Sequence, residues 1–383
     1  MQFRDLQKQY EVLKPKIDVA MTSVALSAHF ISGPEVKELE NKLAEYVGVK
    51  HCITCANGTD AITVAMRAWG IGVGDAVFVP DFTFFSSGEC PADEGATPIY
   101  VDVDQHTYNI DPEKLEKAIN KVITDGKLKA KAIVAVDLFG QPAEYDRIIP
   151  ICKKYNLLLL EDGAQGFGGN INGKMACSFG DISTTSFFPA KPLGCYGDGG
   201  AIFTDNDEWA DLIRSICVHG KDTSNPDDPS AKYNNIRIGK NSRLDTLQAA
   251  ILLPKLSAFK EYELNDVNKV ATWYTEGLRD TNLVIPKIKE GYYSSWAQYT
   301  VQMPDGVDRK EIQDKLKAAN IPSMVYYTKP MHEQGAFFGT DSAIAECPVT
   351  EKLCSTVLSL PLDPYKKMED VKLVVSELKK ALQ

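Results

Sequence analysis

The stretch Leu157-Leu158-Leu159-Leu160-Glu161-Asp162-Gly163-Ala164-Gln165 gives the clearest indication of the fold. An apolar run that ends in two acids is typical of a strand buried on both faces of a parallel sheet. Ligands of such sheets bind in the crevice at the carboxyl ends of the strands. Asp162 is therefore placed to face a cationic group there, and Gln165 to form a hydrogen bond beside it. A strand that simply ends in a solvated turn would explain the same pattern.

Similar short β-type runs recur on both sides of this stretch, and helical stretches separate many of them. The predicted strands are residues 51–56, 76–80, 98–103, 131–136, 157–161, 182–187 and 201–204. The predicted helices among them include residues 36–47, 59–69, 112–120 and 145–155. This alternation predicts an α/β fold with a mainly parallel sheet sandwiched by helices.

The character of the sequence changes after residue 204. Residues 221–235 are rich in Asp, Asn, Ser and Pro, which predicts a loop. Residues 243–280 are mostly helical in pattern, and a strand (297–303) and two helices (309–319 and 368–382) are predicted beyond them. We therefore expect a large domain over residues 1–245 and a smaller C-terminal α+β domain over residues 246–383.

Composition excludes several classes of protein. The 383 residues carry a formal charge of −10 and no basic stripe, which argues against a nucleic-acid partner. No stretch is long and apolar enough to span a membrane, and no apolar signal core follows the N-terminus, so we expect a cytoplasmic protein. The nine scattered cysteines are expected to be free thiols, and the five histidines show no metal-binding spacing, so no metal is expected.

A second stretch, Ala56-Asn57-Gly58-Thr59-Asp60, ends one predicted strand and opens a helix. The N–H groups and the dipole of a helix N-terminus favour an anion. Gly58 permits close approach and Thr59 adds a hydroxyl donor. A plain helix cap would account for the same residues.

The third stretch is Ser186-Phe187-Phe188-Pro189-Ala190-Lys191-Pro192-Leu193-Gly194. Apolar surroundings desolvate an ammonium and lower its pKa, which makes the Lys191 amine available as a nucleophile, and Ser186 adds a further phosphate donor. A phosphate-binding helix N-terminus, a carboxylate for a ring nitrogen and a lysine for a Schiff base are together the requirements of pyridoxal phosphate.

With these motifs the chain resembles the fold-type I pyridoxal-phosphate sugar aminotransferases, the DegT/DnrJ/EryC1/StrS group. The resemblance rests on the three stretches above, on Phe3-Arg4-Asp5-Leu6, on Gly197-Asp198-Gly199-Gly200 and on Asn241-Ser242-Arg243-Leu244-Asp245. It spans nearly the whole chain and implies a homodimer with shared active sites.

The resemblance also implies roles for individual residues. Lys191 would form the Schiff base and Asp162 would pair with the pyridine nitrogen, so these two are the predicted catalytic residues. The other predicted cofactor contacts are Gly58, Thr59 and Ser186 at the phosphate, Gln165 at the ring hydroxyl, Phe84 as the stacking aromatic, and Asn241 from the second subunit. The predicted substrate contacts are Arg243, Tyr326, Tyr327 and His332.

The function implied is transfer of an amino group from L-glutamate to a nucleotide-linked keto sugar. The preferred acceptor is the C3 ketone of UDP-2-acetamido-2-deoxy-3-oxo-glucuronate, in the biosynthesis of O-antigen and other lipopolysaccharide. One alternative is C4 amination of a UDP- or dTDP-4-keto-6-deoxy sugar, and another is a non-catalytic regulator with the same fold. A sugar 3-dehydratase is disfavoured because its relatives carry His at the position of Lys191.

Overall fold

The computed structural model describes residues 1–223 and 233–383. Residues 224–232, the greater part of the predicted loop 221–235, lie outside the described residues. Twelve helices of the described part are α1 (Leu6–Ser27), α2 (Pro34–Val47), α3 (Gly58–Ala68), α4 (Ser86–Asp93), α5 (Pro112–Asp125), α6 (Tyr145–Tyr155), α7 (Asp207–Cys217), α8 (Thr246–Ala258), α9 (Leu264–Leu278), α10 (Arg309–Ala318), α11 (Pro348–Thr356) and α12 (Met368–Ala381).

Within the described residues, short strands form three sheets. The strands are β1 (His51–Cys55), β2 (Asp75–Pro80), β3 (Thr97–Val101), β4 (Lys129–Val136), β5 (Leu158–Asp162), β6 (Asn170–Ile171), β7 (Lys174–Met175), β8 (Ile182–Ser186), β9 (Gly200–Thr204), β10 (Tyr292–Tyr293), β11 (Tyr299–Gln302) and β12 (Val357–Leu360). The seven predicted strands of the first half are all present as β1, β2, β3, β4, β5, β8 and β9.

These seven strands form one sheet in the order β1-β9-β8-β5-β4-β2-β3. Strand β9 runs antiparallel to both of its neighbours, and the remaining neighbours are parallel. In the central strands, residues 132–136 of β4 and 159–160 of β5 are apolar and buried, because helices cover both faces of the sheet. The parallel strands therefore end at one edge, where the segments after β1, β2, β4, β5 and β8 meet.

The C-terminal part of the chain has a core of its own. Apolar residues of α9, α10 and α12 pack on the antiparallel pair β11 and β12. Helix α8, in contrast, contributes Ile251 and Ala258 to a cluster with Leu13 and Ile17 of α1. The boundary near residue 245 stays a prediction, and this packing favours placing α8 with the large domain.

The sequence predicts that no stretch of the chain is long and apolar enough to span a membrane, and the lengths and polarity of the helices can be compared with that prediction. Over residues 1–223 and 233–383, each helix is either too short or too polar to cross a bilayer.

Candidate active site

A cavity of about 440 Å³ opens where the parallel strands end. It is lined by the segments that follow β1, β2, β5 and β8, together with Gln298 and the pair Tyr326–Tyr327 from the C-terminal part. A surface groove of about 500 Å³ lies at the opposite end of β4 and β5, beside Lys129 and Leu158. Because ligands of parallel sheets bind at the carboxyl ends of the strands, the first cavity is the candidate site.

Lys191 lies on the wall of this cavity, in a turn that follows β8. The turn is closed by a hydrogen bond from the Lys191 N–H to the carbonyl of Phe188, at 2.9 Å. Burial lowers the pKa of the Lys191 amine, and the nearby Asp162 carboxylate opposes that shift. A larger share of the amine is therefore neutral and nucleophilic than in an exposed lysine.

Asp162 is the last residue of β5, and its side chain is only 5% exposed. One carboxylate oxygen accepts a hydrogen bond from the Ala164 N–H at 3.2 Å, and the other accepts one from the Ser87 hydroxyl at 2.8 Å. Burial raises the pKa of Asp162, and the Ser87 hydrogen bond counters that rise. A cation placed in the cavity would stabilise the ionised carboxylate.

The N-terminus of α3 forms the opposite wall. Asn57 caps this helix by accepting a hydrogen bond from the Asp60 N–H at 2.7 Å. Gly58, Thr59 and Ser186 line the cavity beside the first turn. A Cβ atom at Gly58 would lie 2.7 Å from the Cβ of Ser186, so a side chain there would fill the space between helix and strand. This small concave surface, with its helix dipole and hydroxyls, suits a phosphate group.

Gln165 is fixed in orientation by two neighbours. Its carbonyl oxygen accepts a hydrogen bond from the Phe139 N–H at 2.8 Å, and its amide nitrogen donates one to the Tyr327 hydroxyl at 3.2 Å. The Tyr327 ring lies 6.4 Å from that of Phe84, which is half exposed at the cavity. The structure thus brings together Gly58, Thr59, Phe84, Asp162, Gln165, Ser186, Lys191, Tyr326 and Tyr327.

Three predicted site residues do not line this cavity. Asn241 is exposed and forms an isolated antiparallel β-bridge with Val218. Arg243 lines a separate surface cavity of about 290 Å³. His332 Nδ1 lies 2.7 Å from a carboxylate oxygen of Asp81, and the His332 N–H donates to the other oxygen at 2.8 Å. This placement gives His332 a buried partner and favours a structural role over the predicted contact to the substrate.

Several polar residues outside the predicted set also reach the site, among them Ser87 and Gln298. Ser87 is completely buried and bonds to Asp162, and Gln298 lines the cavity with a side-chain oxygen that has no hydrogen-bond partner in the described part of the chain. The weak sequence signal for Ser87 is its place just after Phe82-Thr83-Phe84-Phe85, in the first turn of α4.

A pair of acids lies beneath the site. Glu161 accepts hydrogen bonds from the N–H groups of Cys177 and Phe179 at 2.5 and 2.7 Å and from the Ser183 hydroxyl at 2.7 Å. The pKa of Asp137 is raised well above its ordinary value, mainly by burial and secondly by the negative charge of Glu161. Burial also raises the pKa of Glu161, so the environment of the pair favours a protonated carboxyl on Asp137.

The residues of the cavity fit pyridoxal phosphate. Asp162 is a buried carboxylate whose bonded neighbours are hydroxyl and N–H donors, so a pyridinium would supply the missing positive charge. Lys191 offers an amine of lowered pKa, and the α3 N-terminus offers an anion site. All three groups line one cavity.

Comparison with known proteins agrees with this arrangement. The sequence profile of the DegT/DnrJ/EryC1/StrS aminotransferase family matches residues 12–379. The chain is 45% identical over 378 residues to the UDP-2-acetamido-2-deoxy-3-oxo-D-glucuronate aminotransferase of Pseudomonas aeruginosa, with 99% of each chain covered. It is 42% identical over 380 residues to the pleiotropic regulatory protein of Geobacillus stearothermophilus, covering 98% of this chain and 96% of that protein.

Solved structures show the same fold. A DegT DnrJ EryC1 StrS aminotransferase from Brucella abortus superimposes with a TM-score of 0.94 at 44% identity, covering 99% of each chain. NtdA from Bacillus subtilis, solved with the cofactor PMP bound, gives a TM-score of 0.84 at 30% identity over 96% of this chain and 81% of that chain. The predicted fold-type I architecture is confirmed.

Proposed function

The chain belongs to the DegT/DnrJ/EryC1/StrS aminotransferase family, and from this premise we propose that it transfers an amino group from L-glutamate to the C3 ketone of UDP-2-acetamido-2-deoxy-3-oxo-glucuronate. The predicted family is confirmed, and so is the broader function: the chain is a pyridoxal-phosphate-dependent sugar-nucleotide aminotransferase. The choice of acceptor is supported by the 45% identity to the Pseudomonas aeruginosa enzyme over 99% of both chains.

The observation that carries the proposal is that Lys191, Asp162 and the N-terminus of α3 line one cavity. When bound, pyridoxal phosphate supplies a carbonyl that condenses with amines and a ring that accepts electrons. Gly58, Thr59 and Ser186 would hold its phosphate, and Asp162 would keep its ring nitrogen protonated.

Lys191 is the proposed acid and base of both half-reactions. In the first, its Nζ would take the proton from Cα of L-glutamate, water would release 2-oxoglutarate, and the amino group would stay with the cofactor. In the second, that amino group would replace the ketone oxygen of the sugar, which leaves as water. The same Lys191 amine would deliver a proton to C3, and the 3-amino sugar nucleotide would leave. Phe84 would pack on the cofactor ring, and Gln165 would form a hydrogen bond to the ring hydroxyl.

We further propose that two subunits share each site. Neither Asn241 nor Arg243 lines the cavity of its own chain. Asn241 is exposed and Arg243 lines a separate surface cavity, which leaves both able to reach a partner's cavity. Asn241 would then contact the cofactor phosphate and Arg243 the sugar nucleotide, with Tyr326 and Tyr327 contributing from the cavity itself. A homodimer of this kind is the proposed assembly.

The proposed setting is the cytoplasm, in the pathway that makes O-antigen and other lipopolysaccharide. A UDP-linked amino sugar is an activated donor of the kind that builds such surface polysaccharides.

One specific finding favours a second function. A relative with 42% identity is named a pleiotropic regulatory protein, so a regulatory role for this chain is the alternative. Lys191, Asp162 and Gln165 are all present around the cavity, which argues for catalysis, since a regulator has no need of them.

The test is an amination assay with the purified protein loaded with pyridoxal phosphate. With L-glutamate and the 3-oxo-glucuronate nucleotide, we expect equal amounts of 2-oxoglutarate and 3-amino product by mass spectrometry. Lys191→Ala should fold and give neither product. Amination of a UDP- or dTDP-4-keto-6-deoxy sugar alone would overturn the proposed acceptor, and no amination of any keto sugar would favour the regulator.

A further inference from the structure

Two buried hydroxyls form a line behind Asp162. The Ser87 hydroxyl lies 2.8 Å from a carboxylate oxygen of Asp162, and the Thr83 hydroxyl lies 3.1 Å from that of Ser87. Ser87 is completely buried and Thr83 is 4% exposed. Both residues belong to the segment between β2 and the first turn of α4, which also carries Phe84.

The direction of both hydrogen bonds follows from counting protons. An ionised carboxylate only accepts hydrogen bonds, so the single hydroxyl proton of Ser87 is used on Asp162. Ser87 can then only accept from Thr83, whose own proton points toward Ser87. Aligned hydroxyl groups polarise one another, so the second hydroxyl strengthens the bond that the first one makes.

The other groups that face Asp162 do not replace these donors. Asp162 has no ion-pair partner within residues 1–223 and 233–383, and its second oxygen accepts only the Ala164 N–H. The titratable groups near it are Lys191, Cys90, Cys177 and Tyr327. Burial raises the pKa of Cys90 to about 12 and also raises the pKa values of Cys177 and Tyr327, so these three groups are neutral at neutral pH.

We propose that Thr83 and Ser87 are positioning residues that hold the Asp162 carboxylate ionised and aimed at the ring nitrogen of the cofactor. The inference rests on the proposed function, and it deepens that function by assigning two residues that act through Asp162. Ser87 acts on the carboxylate directly, and Thr83 acts only through Ser87. The same short segment thus carries Thr83, Ser87 and Phe84, and Phe84 lines the cavity that would hold the ring.

A purely structural hydroxyl pair elsewhere in the chain supplies the comparison. Thr300 and Ser359 lie on β11 and β12, are 1% and 0% exposed, and bring their hydroxyls within 2.7 Å of each other. Neither lines the cavity. Ser359→Ala therefore removes a buried hydroxyl of the same kind with no carboxylate behind it.

The test measures the dissociation constant of pyridoxal phosphate by absorbance titration, at several values between about pH 6 and about pH 9. Ser87→Ala removes the donor that opposes the raised pKa of Asp162, so the carboxylate becomes protonated at a higher pH. We expect binding about 10-fold weaker or more, from the loss of a hydrogen bond to a charged group. The ratio of the variant's dissociation constant to the wild-type value should grow as the pH falls.

Thr83→Val should also raise the dissociation constant of pyridoxal phosphate, but by less than Ser87→Ala does. In the double variant, Thr83→Val should cause no further rise, because Thr83 acts through Ser87. Thr83→Val also provides the test if Ser87→Ala does not fold. Ser359→Ala should lower the melting temperature and leave the dissociation constant of the cofactor unchanged at every pH.

The outcomes separate this inference from the proposed function. Wild-type protein that takes up no pyridoxal phosphate would overturn both. Wild-type binding with an unchanged or pH-independent ratio for Ser87→Ala would overturn the inference alone. An effect of Thr83→Val that persists in full beside Ser87→Ala would show that Thr83 contacts the cofactor directly, and would overturn its assigned role.

Discussion

Lys191 and Asp162 illustrate, at the scale of single residues, how one environment prepares two groups. Burial lowers the pKa of the lysine and raises that of the carboxyl, so each is driven toward its neutral form. In the proposed mechanism the lowered pKa lets the lysine act as a nucleophile. The aspartate must instead stay ionised, and the hydrogen bonds from Ser87 and Ala164 partly offset the rise in its pKa.

Asp162→Asn should bind the cofactor and lose most of its turnover. The amide has nearly the same shape but no charge to keep the ring nitrogen protonated, and we expect a loss of about 100-fold or more in kcat, as for other electrostatic groups at reacting centres. Asp181→Asn is the matched control, because Asp181 lies at the far end of β5 and accepts from the Leu159 N–H. Near-wild-type kcat in Asp162→Asn would show that another group supplies the charge.

Asp137→Asn should change how stability depends on pH. The folded pKa of Asp137 is raised, so above about pH 4 the native state keeps a proton that the unfolded state releases. Wild-type unfolding free energy should therefore fall by about 1.4 kcal/mol per pH unit from this group until the native state also releases the proton. The neutral amide removes that fall.

Urea unfolding of Asp137→Asn and wild type at a series of pH values checks this. The stability of the variant relative to wild type should rise with pH. A difference that stays constant at every pH above about 4 would show that the pKa of Asp137 is not raised in the folded protein.

At the scale of secondary-structure elements, the N-terminus of α3 is the proposed binding site of the cofactor phosphate. Gly58→Ala would place a Cβ 2.7 Å from the Cβ of Ser186, so the helix end or β8 must move away. We expect the dissociation constant of pyridoxal phosphate to rise about 10-fold or more, since the hydrogen bonds to a charged phosphate lengthen together. Gly335→Ala meets no atom within 4 Å and serves as the control. Unchanged affinity in Gly58→Ala would remove this helix end from the phosphate site.

The elements of the sheet could be predicted because their sequence patterns are local. Residues 157–160 form a continuous apolar run, and the other strands are short runs rich in apolar or β-branched residues, so all seven were predicted. Helix α1 was not predicted because apolar residues lie on both of its faces and obscure the helical periodicity. Leu13 and Ile17 are buried, whereas Val12, Val19 and Leu26 are exposed. Helix α4 was missed because Pro91 lies inside it.

The site was predictable where a residue lies at the end of an element that the sequence reveals, as do Asp162, Gly58 and Ser186. It was not predictable where position depends on long-range packing. Ser87 reaches Asp162 across 75 residues of sequence, and His332 pairs with Asp81 across 251. Neither contact leaves a local pattern.

For the whole molecule, shared sites predict that two defective chains can repair each other. Arg243→Ala should raise the KM for the sugar nucleotide more than that for L-glutamate. When Arg243→Ala and Lys191→Ala chains are mixed in equal amounts, half of the dimers contain one chain of each kind. One of the two sites in such a dimer is intact, so about a quarter of all sites should be active. This is measured as activity at low sugar-nucleotide concentration.

Lys191→Ala co-assembled with Asp162→Asn is the control for that experiment. Both residues line the same cavity, so every site of a mixed dimer keeps a lesion and no activity should return. If the Arg243→Ala mixture behaves like this control, Arg243 does not serve a partner's site.

Aminotransfer through Lys191 can be followed in the visible absorbance spectrum of the protein loaded with pyridoxal phosphate. We predict that the band of the lysine-bound cofactor bleaches when L-glutamate is added. It should return when UDP-2-acetamido-2-deoxy-3-oxo-glucuronate follows. A band that forms and then stays unchanged with every amino donor and keto sugar nucleotide would contradict the account.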